Sequence, residues 1–240
     1  MTMRFSRQLD QFGKDRMVLG LLLLAGLLLA ARAWLADHPQ HDPWAPLDLN
    51  DPPGWATQRK LASLRSDPDE CRAVLERSGV AFAVLEPAGE GTCRRADRTQ
   101  LRDAPFSPAR PVTTCPVAAA VQVWLTQAVQ PAAAELLGSP IVRIEHLGTF
   151  SCRRIGGGGN WSEHATGNAI DIAAFVTDDG QRVSVLRDWE REGTDAEFLR
   201  NVRDGACDVF GTVLSPDYNA AHADHLHLDQ AARGLGGFCR

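Results

Sequence analysis

The chain has no Cys-x-x-Cys pair, no Gly-x-Ser-x-Gly turn, no Lys-Ser/Thr behind its glycine run, no internal repeat and no excess of basic charge. Each absence removes a class of chemistry. Without Cys-x-x-Cys, a zinc site made of cysteines alone is disfavoured. Without the nucleophile turn, Ser162 does not read as an attacking serine. The glycines from Gly156 to Gly159 cannot cradle phosphate as a P-loop does, and read instead as a flexible rim of a cleft with Trp161 beside them. The formal net charge is −5, with both signs mixed along the chain, so the basic field that holds nucleic acid is missing and nucleic acid is set aside as a partner.

What the sequence does have begins with a long apolar run. Met17 to Ala36 reads MVLGLLLLAGLLLAARAWLA, and about 20 residues is what a helix needs to cross a bilayer. Arg4, Arg7, Lys14 and Arg16 precede it against only Asp10 and Asp15, which by the positive-inside rule keeps the N-terminus in the cytoplasm. A cleaved signal peptide competes, because Ala31-Arg32-Ala33 has the small-x-small form of a cleavage site. Trp34 suits a membrane interface and Arg32 can snorkel outward, which favours an uncleaved anchor. Either way the rest is exported. The chain then divides into a basic N-terminus (1–16), an anchor (17–36), a Pro/Asp-rich tether (37–57) and a folded domain (58–240). The tether is expected to be extended and to hold the domain off the membrane, with His38 and His41 as solvated bystanders.

Cys71, Cys93, Cys115, Cys152, Cys207 and Cys239 are an even set of six, widely spaced in an exported chain, and read as three disulfides. Their spacing leaves the connectivity open. Pairing of sequence neighbours, Cys207 with Cys239 among them, is the working expectation.

Helices and short strands alternate irregularly along the domain. A helix should run from near Thr57 through Cys71 and Leu75, then a strand in GVAFAVLEP, then a loop of some 25 residues. A second helix starts at Thr114, a capping residue, with Pro116 in its first turn. Val117, Val121, Trp124, Leu125 and Ala128 make its apolar face, and Pro131 should kink or end it. In IVRIEHLGTFSCRR, Val142, Ile144 and His146 alternate with Arg143 and Glu145 as in a strand, and His146 reads as structural. Phe175 to Val185 reads as a hairpin around Asp178-Asp179-Gly180, since Asp-Gly readily adopts the positive φ of such turns; a calcium loop is the alternative, but its later acidic ligands are missing. Thr194 to Glu197 forms a capping box ahead of a helix that carries Phe198, Val202 and Val209 and ends near Gly211. This pattern indicates an α+β fold, a small antiparallel sheet with flanking helices, rather than repeated βαβ units.

Four of the seven histidines fall between His164 and His227. In SEHATGNAIDIAAF, Gly167, Asn168 and the β-branched Ile170 and Ile172 argue for a loop entering a strand, with the isoleucines inward and Asp171 on the other face. In HADHLHLD, Leu226 and Leu228 take one face of a strand, and His225, His227 and Asp229 the opposite one. If the two strands are neighbours, His164, Asp171 and a histidine of the second motif converge. Two imidazoles and a carboxylate suit Zn²⁺ with a fourth position open for solvent, the mark of a catalytic rather than a structural site.

Ser162-x-His164-x-x-Gly167-x-Ala169-x-Asp171 followed by His225-x-His227 resembles the signature of zinc peptidases that cut peptidoglycan: D-alanyl-D-alanine carboxypeptidases and dipeptidases, phage endolysins and penicillin-insensitive murein endopeptidases. More closely, CPVAAAVQVWL, SEHATGNAIDI, SVLRDW, GACDVFGTVLSPDYNAAHADHLHLD and the terminal FCR are similar to the bacterial extensin-like C-terminal domain family, over about Pro43 to Arg240. No hydroxyproline-type repeat supports a plant-wall structural role.

The resemblance implies a Hedgehog/DD-peptidase-like zinc peptidase fold behind one transmembrane helix, in a bacterial inner-membrane protein with a periplasmic domain that acts on peptidoglycan peptides. It implies His164, Asp171 and His227 as zinc ligands, with His225 as a group that supports them or meets the transition state. His222-x-x-His225-x-His227 resembles the murein endopeptidase spacing. Where the wider group places an acidic general base, this chain has Asp224 rather than glutamate, so His222 or His225 could take the role. Arg153 or Arg154 resembles the substrate-binding basic residue, and Ser162 would bond substrate or its own loop. A wall-binding module without turnover and a purely structural zinc site are the competing readings.

Overall fold

The computed structural model describes residues 3–233 and 237–240, with side chains from Asp15 onward. The side chains of Arg4, Arg7 and Lys14, which carry part of the orientation argument, lie outside the described residues. The N-terminal helix α1 (Met3–Asp37) contains an apolar stretch, Asp15–Asp37, long enough to cross a membrane.

The segment after it is not a free tether. Leu47 and Leu49 are buried in the core, and Lys60 Nζ donates to Pro39 O at 2.7 Å. Arg77 Nε donates to Leu47 O and Gln127 Nε2 to Asn50 O. Its two apolar residues decide the matter: burying a leucine is worth about 1.5–3 kcal/mol, enough to dock a segment whose prolines already limit its freedom. His38 and His41 are correspondingly not solvated bystanders, since their rings stack with Trp34 and Trp55.

The first expected helix is two, α2 (Thr57–Ser63) and α3 (Pro68–Arg77). A 3-10 turn, Leu64–Ser66, separates them, and Asp67 caps α3, its carboxylate accepting the Glu70 N–H at 2.9 Å with Pro68 in the first turn. β1 (Phe82–Val84) follows where a strand was read. The stretch read as a loop holds two further strands, β2 (Thr99–Leu101), antiparallel to β1, and β3 (Phe106–Ser107), parallel to the next strand. They are too short to leave a periodic signature.

α4 (Cys115–Trp124) starts as expected, but Pro131 does not end it. Two π-helical turns, Leu125–Val129 and Ala133–Leu137, flank α5 (Gln130–Ala132), and the rod continues to Gly138 in the left-handed conformation. The wider turns accommodate the proline ring and its missing N–H.

β4 (Ile141–Gly148) and β5 (Ala169–Thr177) are the longest strands, paired antiparallel with three register shifts. Those bulges break the simple alternation, so Val142 is exposed while Ile144 is buried. His146 is structural, bonded to Ala109 O at 2.9 Å and edge-on to Phe106. The hairpin to β6 (Arg182–Ser184) turns at Gly180, whose φ of 91° needs glycine. α6 (Val185–Asp188) leads to α7 (Thr194–Cys207). No capping box forms there: Thr194 is already helical, Gly193 holds the cap position without a side-chain bond, and the helix stops at Cys207. β7 (Thr212–Leu214), β8 (Leu226–Asp229) and β9 (Phe238–Cys239) complete a sheet ordered β3-β4-β5-β8-β7-β9, with β6 on β5. The sheet is mixed rather than wholly antiparallel, because β3–β4 and β7–β9 are parallel pairs. The architecture is α+β.

The core lies between the sheet and α4 and α7. Ile170, Ile172, Phe175, Leu226 and Leu228 from the sheet meet Trp124, Phe198 and Val202, and the indole of Trp124 donates to Val202 O at 2.8 Å. The disulfides are Cys71–Cys115, Cys93–Cys152 and Cys207–Cys239. Neighbour pairing thus holds for the last pair only. The first two interlace because α3 packs on α4, which sets Cys71 beside Cys115, while Cys93 is carried over to the loop after β4 that holds Cys152.

Candidate metal centre

β5 and β8 are hydrogen-bonded neighbours, with Asp171 directly opposite His227 and Ala169 opposite Asp229. Because side chains alternate, the isoleucines and leucines that flank these positions fill the core and leave Asp171 and His227 together on the other face.

The loop before β5 delivers His164 to the same place. Ser162 accepts the His164 N–H on its Oγ, starting a tight turn over Glu163–Thr166, which Gly167 ends at φ 75°. Gly167 O accepts the Thr114 N–H, and the Thr114 hydroxyl donates to Asn168 Oδ1, which ties the loop to the start of α4. From the far side, Ser151 N donates to His164 O, one residue from the Cys93–Cys152 bridge. His164 is therefore held from three directions.

The geometry is a tight triangle. His164 Nε2 lies 3.1 Å from Asp171 Oδ1 and 3.1 Å from His227 Nδ1, and His227 Nδ1 lies 2.9 Å from Asp171 Oδ1. Those three atoms could hold a cation. With Asp171 ionised, no arrangement of protons satisfies all three edges: both nitrogens must carry a proton to serve the carboxylate, yet only one may carry it to serve the other nitrogen. One positive centre shared by three donors removes that conflict.

Charge and burial point the same way. Burial pushes the Asp171 carboxyl up, but hydrogen bonds from His164 and His227 overcome it and hold the group well below the usual carboxylate range. Burial pulls His227 down, while its bonds to Asp171 and Asp229 raise it to about 9. The site stabilises positive charge on the His227 ring.

Asp229 is the residue that motif matching passed over. Its Oδ2 faces His227 Nε2 at 2.9 Å, and its Oδ1 accepts the Ala231 N–H at 2.7 Å. A proton fixed on Nε2 leaves Nδ1 of the neutral ring as the donor to a cation, and a carboxylate behind a ligating imidazole is the usual support of such a ring. The signal was present in the period of two that groups His225, His227 and Asp229.

Next to the triangle, His225 Nε2 lies 3.6 Å from Asp171 Oδ1, and its Nδ1 lies 2.7 Å from Asp224 Oδ1. Asp224 thus backs His225 and stays largely exposed. His222 bonds Asn219 Oδ1 at 2.8 Å, and its ring centroid is 6.0 Å from that of His227. Burial, with His225 and His227 adding to it, lowers His222 to about 4, so it is neutral near pH 7.

The two arginines part company. Arg154 stacks on Trp161 and donates to Gly159 O within its own loop. Arg153 is exposed, makes no ion pair among the described residues, and lies near enough to His222 to disfavour its protonation. Ser162 is buried and its hydroxyl serves the loop rather than the cleft.

An α+β domain locked by three disulfides, with a His–Asp–His cluster on one face of its sheet, is the class of protein that fold and site define. The model of the family described as extensin-like protein C-terminus matches residues 69–240. The chain belongs to that family. No curated protein and no solved structure matches it.

Proposed function

We propose that this chain is a membrane-anchored, periplasmic zinc peptidase that hydrolyses amide bonds in peptidoglycan stem peptides or cross-links. The observation that carries the reading is the unsatisfiable triangle of His164, Asp171 and His227. Donor atoms at about 2.0–2.1 Å from a tetrahedral zinc lie roughly 3.3 Å apart, close to the separations found here. Zinc held by His164, Asp171 and His227 would lower the pKa of water toward about 7 and polarise a carbonyl. The chain's own groups complete the chemistry. His225, its Nδ1 proton fixed by Asp224, presents Nε2 beside Asp171, where it can take a proton from the attacking water and return it to the leaving amine. Asp224 acts as the positioning residue, which explains how aspartate serves where glutamate is usual. The guanidinium of Arg153, without an ion pair among the described residues, suits a substrate carboxylate. The apolar helix α1 supplies the anchor.

The test is digestion of defined muropeptides by the full chain in detergent, with products weighed and bound metal measured. About one zinc per chain and released peptide are expected, and His164→Ala should lose both. Retained zinc with no cleavage of any muropeptide would leave a wall-binding module instead.

A further inference from the structure

Three of the six tryptophans, Trp34, Trp44 and Trp55, are largely exposed, at 48%, 84% and 65%, and all gather where α1 meets the domain. Trp34 stacks on His38 at 4.5 Å and on His41 at 5.3 Å, and His41 stacks in turn on Trp55 at 5.9 Å. His38 Nδ1 bonds Trp34 O at 2.8 Å, and Trp55 N donates to His41 Nδ1. Arg32, inside the last turns of α1, pairs with Asp42 at 3.9 Å, and Asp42 Oδ1 accepts the Trp44 N–H at 2.9 Å. Asp42 is itself buried against the domain.

These contacts fix heights. If α1 spans the bilayer, Arg32 snorkels to the headgroup level, and the helix rises only roughly 7 Å further before it ends. Asp42 and Trp44 must then sit at the level of Arg32, and Trp55 at the level of Trp34. Three exposed indoles where α1 meets the domain are costly in water and favourable in the interfacial layer, where an amphipathic ring meets both acyl chain and headgroup. We propose that the face formed by Trp34, Trp44 and Trp55 is embedded in the outer headgroup layer of the phospholipid bilayer that α1 crosses. The domain is thereby docked on the membrane at a fixed tilt rather than carried above it. This rests on the reading of α1 as an anchor, and it is independent of the metal centre.

The full chain is reconstituted into phosphatidylethanolamine/phosphatidylglycerol vesicles in which part of the lipid is brominated high on its acyl chains, and tryptophan quenching is measured beside alkaline carbonate extraction. Trp44→Phe and Trp55→Phe keep an aromatic ring, and a melting curve for each reports folding. The expected result is resistance to extraction, with each variant losing roughly a third of the quenched signal because three interfacial indoles share it. Trp161→Phe, exposed at the glycine loop, should change nothing. Resistance to extraction with unchanged quenching in both variants would overturn the docking and leave the anchor standing. Release of the protein by carbonate would remove the anchor and the docking together.

Discussion

Asp229 shows how one residue sets the chemistry of another. Its carboxylate accepts from both His227 Nε2 and the Ala231 N–H, one oxygen each. Asparagine offers a single acceptor oxygen for those two donors, so Asp229→Asn should release one of them, lower the basicity of the ring and weaken zinc binding about 10- to 100-fold. Isothermal titration of chelator-treated protein reads this directly, and unchanged affinity would remove Asp229 from the site. At this scale the sequence was legible wherever a residue's role follows from strand alternation, as for Ile170 against Asp171. It was not legible for Arg153 and Arg154: they are adjacent and chemically equivalent, and only the folded loop gives Arg154 to Trp161 and leaves Arg153 without an ion pair among the described residues.

Among the elements, the long rod that begins with α4 meets α7 where side chains are smallest. A Cβ added at Gly205 would fall 2.4 Å from the Cβ of Ala128, so the two helices approach as closely as glycine allows. Gly205→Ala gains helix propensity of roughly 1 kcal/mol but forces the rods apart, and overpacking of this kind costs about 1–3 kcal/mol. A net loss of stability is expected in urea denaturation; a gain would mean that the rods can slide apart freely. The periodicity of Val117, Val121, Trp124 and Leu125 announced this rod, yet its passage through Pro131 could not be read, because π-helical turns leave no pattern in a local window. Asp67-Pro68, by contrast, splits α2 from α3 by ordinary capping chemistry, a signal present in the sequence and overridden in its reading by the apolar period.

Over the whole molecule, titration of the site should govern stability. His227, raised to about 9 against an ordinary value of 6.5, stabilises the fold fully below about 6.5, and that contribution is lost as pH rises through 9. His222, held near 4, takes its proton later in the folded chain than in the unfolded one, so stability also falls as pH drops from about 6.5 toward 4. Chelator-treated protein is therefore expected to melt at its highest temperature near pH 6.5 and to decline on both sides. If added zinc binds through Nδ1 as proposed, the alkaline decline should vanish, since the cation then replaces the Nδ1 proton whose loss drives it. Thermal melts from pH 4 to 10 with and without zinc check this, and a flat profile above 6.5 in the metal-free protein contradicts the account of His227.

By itself the sequence determined the apolar N-terminal helix, the α+β alternation, the oxidised state of six cysteines and the membership of His164, Asp171 and His227 in two motifs, one a loop entering a strand and one a strand, because each follows from composition or from a period of two or 3.6 within a short window. Only the tertiary structure decided that β5 lies beside β8, that Cys71 finds Cys115 rather than Cys93, and that the segment after the apolar helix packs on the domain. Those outcomes depend on which distant surfaces bury one another, and hydrophobic burial is non-directional along the chain: it rewards contact without recording in any local stretch of sequence which partner will supply it.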